Sequence, residues 1–157
     1  MKLNDFYQKK LAEAMAWEEK SYDIKKRLEK ALKAKPEEDN FAKVDAIYKE
    51  KEEHTKAYPF TRGAGKAFRA IYHNKGEELV MDDYNWMGDH LDFVNFLRDC
   101  GIDTFLVTNQ STGLMEDIHE YTNAGCVMVG PEIVTEEGEF FGRTFPEKKL
   151  ALRFVIK

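Results

Sequence analysis

The chain has 157 residues, of which 43% are hydrophobic and 13% aromatic, so it can fill one modest core and is too apolar for a disordered acidic chain. Its formal charge of −5, from 24 basic and 29 acidic side chains, argues against a protein that binds nucleic acid over its whole surface. No apolar run is long enough to cross a membrane, and the N-terminus has no signal-peptide core, so we expect a cytoplasmic protein without a membrane partner.

Residues 1–57 predict a charged helical hairpin as a first domain. Residues 4–34 contain no Pro or Gly, and their apolar residues recur every three or four positions, as on one face of an α-helix. Pro36 ends this helix, and a second one is predicted from about Glu37 to Ala57. Its apolar residues lie on one side: Phe41, Val44, Ile47 and Tyr48. Because the link is short, we expect the two helices to fold back antiparallel, with Lys and Glu on their outer faces.

Residues 58–157 predict a small α/β domain. Tyr58-Pro59 ends the second helix, and Thr61 is expected to cap a third helix over residues 62–75. Short apolar runs and amphipathic segments then alternate: a strand at 78–81, a helix at 89–100, a strand at 104–107, a helix from Ser111 or Thr112, and a strand at 126–129. This order predicts a βαβαβ core with three parallel strands.

The end of the chain predicts antiparallel strands. Residues 133–135 and 139–141 flank Glu136-Glu137-Gly138, which is a hairpin signal. Apolar residues then alternate along a last strand: Leu150, Leu152, Phe154 and Ile156. The predicted fold is therefore α/β with an α+β tail, in which a mixed sheet of five to six strands forms two or three layers with its helices.

A candidate anion or ligand site lies where two predicted strands end. The segment after the second strand contains Thr108, Asn109, Gln110, Ser111 and Thr112, and Asp82 and Asp83 follow the first strand. Ligands of open α/β sheets bind at this edge, and a helix N-terminus there favours an anion. Under the alternative interpretation, Ser111 or Thr112 only caps a helix and Asn109 only shapes a turn.

Thr108 to Ser111 after an apolar strand resembles the second motif of haloacid-dehalogenase-like phosphatases, in which a Thr or Ser binds the phosphoryl group. That family also needs a nucleophilic Asp and a second Asp two residues later. The nearest match is Asp82-Asp83, and adjacent carboxylates on an extended chain point to opposite sides. We therefore expect no phosphatase of this class.

A basic face is predicted on the third helix. Its spacings of four, three and four residues align Arg62, Lys66, Arg69 and His73. Such a face can bind a phosphate, a nucleotide or an acidic partner, and it can equally be a solvated face that pairs with neighbouring Glu residues.

The remaining chemistry-bearing residues predict no catalytic set, metal site or cofactor. The four histidines lack metal-ligand spacing, and His90 and His119 are expected at the surface. Cys100 and Cys126 lie in apolar runs and are expected to be buried free thiols.

Tyr58 to Gly63 and Thr108 to Ser111 resemble segments shared by small proteins of bacterial mobile elements and phages. The resemblance implies an accessory role, such as counter-defence or regulation. We therefore expect a non-enzymatic protein that binds another protein through the helical hairpin and the basic face, or that forms a homodimer through the hairpin. The alternative is a small phosphate- or nucleotide-binding protein, or a phosphatase-like enzyme, that uses the strand-end site around Asp82, Asp83 and Thr108 to Ser111.

Overall fold

The computed structural model describes residues 3–34, 40–74, 77–82, 89–108 and 114–157. The chain divides into two compact units, one of which is Phe6–Phe60 and the other Met1–Asp5 together with Thr61–Lys157. None of the described helices combines the length and the apolar character that a membrane crossing requires.

The first unit contains the helices α1 (Asp5–Leu32) and α2 (Phe41–Lys56). They are joined by polar contacts: Arg27 Nη2 lies 2.6 Å from Glu50 Oε1, and Trp17 Nε1 donates to the carbonyl oxygen of His54 at 2.9 Å. The ring of Trp17 also stacks on that of His54 at 4.5 Å, which buries the imidazole.

The predicted apolar side of α2 is only partly covered. Phe41 is 82% exposed and Tyr48 is 49% exposed, whereas Val44 and Ile47 are half-buried. Helical periodicity groups residues on a face, but it does not state how much neighbouring surface is present to cover that face.

The second unit contains three helices: α3 (Arg62–His73), α4 (His90–Asp99) and α5 (Leu114–Asn123). Its strands are β1 (Val80–Asp82), β2 (Thr104–Thr108), β3 (Cys126–Phe140) and β4 (Arg143–Ile156). The helices and the first strands lie where their apolar patterns predict them.

The described strands form one mixed sheet in the order β1-β2-β4-β3. β1 and β2 are parallel, whereas β4 is antiparallel to both β2 and β3. The expected count of five to six strands is wrong, because two long strands replace several predicted short ones. The expected third parallel strand, β3, does not pair with β2, since β4 lies between them.

The predicted turn at Glu136-Glu137-Gly138 is also wrong, because these residues lie inside β3. The chain reverses at Phe141-Gly142, between the paired residues Phe140 and Arg143. Gly138 instead receives the ring of Phe145: a Cβ at Gly138 would lie 2.8 Å from Phe145 Cζ. The glycine thus provides room for an aromatic ring and does not form a turn.

An aromatic cluster fixes α4 and α5 on one face of the sheet. Phe105 of β2 and Phe154 of β4 are register partners, so their side chains share a face. The ring of Phe93 in α4 lies 5.9 Å from Phe105, and the ring of Tyr121 in α5 lies 5.2 Å from Phe105 and 4.9 Å from Phe154. All four side chains are fully buried, and edge-to-face ring packing of this kind stabilises a core.

Both thiols belong to this unit, and the prediction of buried free cysteines is confirmed. Burial raises the pKa of Cys100 to about 12 and that of Cys126 to about 11, so both are neutral and poorly nucleophilic at pH 7.

Candidate functional site

The predicted strand-end site is described at two positions, Asp82 and Thr108. They are register partners at the carboxyl ends of β1 and β2. Thr108 is 2% exposed, and its Oγ1 donates to the carbonyl oxygen of Met81 at 3.1 Å. The hydroxyl is therefore used to join the two strands, while Asp82 is exposed. The other predicted members of this site lie outside the described residues: Asp83, Asn109, Gln110, Ser111 and Thr112.

The predicted basic face is not uniformly exposed. Arg62, Arg69 and His73 are exposed, whereas Lys66 is half-buried. Arg62 Nε lies 3.9 Å from a carboxylate oxygen of Asp89, so part of its charge is compensated at the start of α4. Three of the four side chains of this face are therefore in contact with solvent, whereas Lys66 lies partly inside the fold.

The start of α3 is held by a carboxylate that the sequence analysis did not identify. Asp92 Oδ2 accepts hydrogen bonds from the hydroxyl of Thr61 and from the backbone N–H of Ala64, the latter at 3.1 Å. Thr61 makes no side-chain bond to the helix backbone, so its predicted capping role is wrong. Asp92 reaches this position because Gly63 lacks a side chain: a Cβ there would lie 2.7 Å from the carbonyl oxygen of Asp89. Residue spacing along α3 could not predict this cap, because Asp92 belongs to another helix, α4.

His90 at the start of α4 is buried, at 8% exposed, so its expected place at the surface is wrong. Its ring lies edge-on to that of Tyr121 at 4.9 Å, and its Nδ1 lies 3.8 Å from Glu120 Oε2. Desolvation lowers the pKa of His90, against the opposing effect of Glu120 and Asp117. The imidazole is therefore neutral at pH 7, beside the acidic first turns of α5. His119 is exposed, as expected.

Among the described residues, no three His, Cys, Asp or Glu side chains converge as metal ligands do.

A two-stranded ribbon extends the second unit beyond the described end of β2. Thr108, the last residue of β2, pairs with Ala151 of β4, so the part of β4 before Ala151 continues past the end of β2. We call residues 131–150, which comprise these parts of β3 and β4 and their turn, the ribbon. Its two strand segments pair with each other from Ile133–Leu150 to Phe140–Arg143, and no third strand lies beside them among the residues that the structure describes.

The end of the ribbon displays three aromatic side chains, which we call the aromatic tip. Phe140 is 65% exposed, Phe141 is 90% exposed and Phe145 is 42% exposed. The rings of Phe140 and Phe141 contact each other at 4.4 Å, and Phe145 lies over Gly138. Clustered exposed aromatic residues are unusual on a monomer surface and are typical of binding sites.

Phe141 occupies a backbone conformation that suits Asn or Gly better than an aromatic residue. The two turn residues, Phe141 and Gly142, have φ of 49° and 73°. Two-residue hairpin turns with positive φ at both positions favour Asn-Gly, because the left-handed region costs other L-residues about 1 kcal/mol. Phe141 thus opposes the local backbone preference while its ring stays in solvent. The sequence signal that could have identified it is the Phe-Phe-Gly run between charged strands.

Comparison with known proteins places the chain in a family. No curated protein and no solved structure shows significant similarity to it. Residues 63–156, more than half of the chain and nearly all of the second unit, match a family whose description is "domain of unknown function". The chain therefore belongs to the family DUF7698.

Proposed function

We propose that this chain is a non-enzymatic protein-binding module and that the aromatic tip of the ribbon is its main contact. The observation that carries the proposal is Phe141, which is 90% exposed in a turn conformation that favours another residue type. The residue costs the fold stability and contributes no buried contact in return. Strain combined with exposure is expected at a functional position, because binding supplies the compensating energy.

The partner surface proposed for the tip is an apolar pocket on a folded protein. Aromatic anchors that enter such pockets dominate protein–protein affinity. A lipid surface is the weaker choice, because the ribbon carries five Glu against three Lys or Arg and would be repelled by anionic headgroups.

The finer fold proposed for the first unit is an antiparallel helical hairpin. Two contacts support this arrangement. Trp17, near the middle of α1, bonds to His54 near the end of α2, whereas Arg27, later in α1, pairs with Glu50, earlier in α2. Such a hairpin would give the module a second surface, for a partner or for a second copy. We also propose an accessory role on a mobile element, which the resemblance of Tyr58 to Gly63 and of Thr108 to Ser111 supports.

The test begins with a photo-crosslinking amino acid placed at Phe141 in the full chain, expressed in its native host. Tyr72, which is 58% exposed in α3, is the matched control position. We expect a discrete crosslinked protein from position 141 and none from position 72. That protein is then purified, and its affinity for the chain is measured by calorimetry.

Phe141→Ala should weaken this binding by at least about tenfold, as expected for a hot-spot aromatic residue, whereas Tyr72→Ala should change it by less than about twofold. Equal crosslinking from both positions, or equal affinity of wild type and Phe141→Ala, would reject the aromatic tip as the contact. Sedimentation of the chain with lipid vesicles, lost in Phe141→Ala, would assign the tip to a membrane surface.

A second candidate function is binding of a small anion at the strand edge. It is favoured by Lys66, a half-buried cation of α3 that lies close enough to the buried His90 at the start of α4 to help lower the pKa of that imidazole. Asp117 and Glu120 of α5 have the opposite effect on this pKa. Thermal unfolding with phosphate, nucleotides and divalent ions tests it. A rise in the unfolding midpoint that Lys66→Gln removes and Arg69→Gln keeps would support this second function.

A further inference from the structure

The first unit contains a cleft of about 890 Å³ between the end of α1 and the start of α2. Short or apolar side chains contribute to its wall: Ala31, Ala34, Ala46 and Ile47. Five cationic side chains line it as well: Lys26, Arg27, Lys30, Lys33 and Lys43. Glu29 is the one carboxylate among the cleft's lining residues in the described part of the chain. The described lining of the cleft is therefore both apolar and strongly positive.

Two of these cations are already compensated. Arg27 pairs with Glu50 and with Asp23, and Lys26 Nζ lies 3.7 Å from Glu29 Oε2. The other three make no ion pair with any residue that the structure describes: Lys30, Lys33 and Lys43. Lys30 lies in the last turn of α1, where the helix dipole stabilises a positive charge, but that effect does not account for Lys43 near the start of α2.

We propose that this cleft binds an acidic amphipathic α-helix of a partner protein. The apolar wall would receive the apolar ridge of that helix, and Lys30, Lys33 and Lys43 would pair with carboxylates beside the ridge. Short Ala side chains let a third helix approach the first two closely. Two apolar residues adjacent in sequence to lining residues are also exposed, Leu32 at 59% and Phe41 at 82%.

Charge complementarity selects this occupant over two others. A second copy of the chain would bring the same cationic helix ends toward the cleft, and like charges repel. Nucleic acid would match the charge, but it has no apolar ridge to cover Ala31, Ala46 and Ile47. Residues 35–39, which join the two helices, lie outside the described residues.

The test uses the full chain and two labelled helical peptides in fluorescence anisotropy. One peptide has a Leu ridge flanked by Glu, and the other carries Gln at every Glu position. We expect the acidic peptide to bind with a Kd of about 10 µM at low salt and the Gln peptide to bind at least about tenfold more weakly. A 20-base-pair DNA duplex serves as a third probe.

Two triple variants with the same change in charge localise the binding. Lys30→Gln/Lys33→Gln/Lys43→Gln should weaken it at least about tenfold. Lys9→Gln/Lys20→Gln/Lys56→Gln removes three exposed lysines that do not line the cleft, and it should change the Kd by less than about twofold. Ala46→Phe keeps every charge but places a ring where the apolar ridge of the partner helix would pack, so it should also weaken binding at least about tenfold. Circular dichroism checks that each variant keeps its helix content.

The proposal is overturned by equal losses in the two triple variants, by normal binding to Ala46→Phe, or by tighter binding of the duplex. It is also overturned if neither peptide binds at about 1 mM, or if the wild type dimerises through the cleft and the Lys30→Gln/Lys33→Gln/Lys43→Gln variant does not. None of these outcomes depends on the aromatic tip, because Phe141→Ala should bind the acidic peptide as the wild type does.

Discussion

At the residue scale, Phe141 has a backbone conformation that is unfavourable for its type of side chain. Its φ of 49° places it in the left-handed region, where an aromatic side chain gains nothing from the turn. We expect Phe141→Asn to raise the free energy of unfolding by about 0.5–1 kcal/mol, because Asn tolerates this conformation and forms the favoured Asn-Gly turn. Urea denaturation followed by circular dichroism measures the change.

Phe140→Asn is the matched control for that prediction. Phe140 is also exposed, at 65%, but it is the last residue of β3, where Asn is disfavoured. The control should therefore lower the free energy of unfolding. A destabilised Phe141→Asn variant would contradict the idea that Phe141 is retained at a cost to the fold.

His90 gives a pH prediction whose sign follows from its burial. Desolvation lowers its pKa below the ordinary value of 6.5, so the unfolded chain binds a proton more readily than the folded one. The stability that the neutral ring contributes is present above that value and is lost as the pH falls below it. We expect the free energy of unfolding to decrease between pH 7 and pH 5.

His90→Phe tests whether His90 causes this pH dependence, because the variant keeps a ring against Tyr121 but cannot take up a proton. The variant should lose less stability than the wild type over the same pH range in urea titrations. An identical pH dependence in the two proteins would show that His90 does not cause it.

At the scale of elements, α3 depends on a carboxylate from α4. Asp92→Ala removes the acceptor for the N–H of Ala64 and the hydroxyl of Thr61. We expect a loss of about 1–2 kcal/mol in the free energy of unfolding, as for other helix caps. Urea denaturation measures it, with Asp99→Ala as the control.

Asp99 is exposed at the end of the same helix, where removal of a negative charge is neutral or slightly favourable. Equal effects of the two changes would exclude a capping role for Asp92.

The same scale shows how far the sequence could predict the fold. Helices α3, α4 and α5 were predictable because their apolar periodicity and stop signals are local. The sheet order was not, because alternation along β4 predicts a buried face but does not state which strands lie on either side. The turn was misplaced because Gly138 carries the same local signal as Gly142, and the difference depends on the ring of Phe145 across the ribbon.

For the whole molecule, the distribution of exposed apolar and charged residues indicates where a partner would bind, whereas the net charge of −5 does not. The aromatic tip belongs to one compact unit and the cationic cleft to the other. The sequence predicted a protein-binding role but assigned it to the hairpin and the basic face. The Phe140-Phe141-Gly142 run is visible in the sequence, but it did not indicate an exposed tip, because the exposure of Phe141 depends on where the ribbon leaves the sheet. It also treated His90 as a surface residue, since burial against Tyr121 is a tertiary contact.

Hydrogen exchange of the full chain, alone and with the partner identified by crosslinking, tests the central claim most directly. If the aromatic tip is the contact, amide exchange will slow around the Phe141-Gly142 turn, and binding of Phe141→Asn will be lost although that variant is more stable. Slower exchange at the beginnings of α4 and α5, with no change at the turn, would contradict the account and move the functional site to the strand edge.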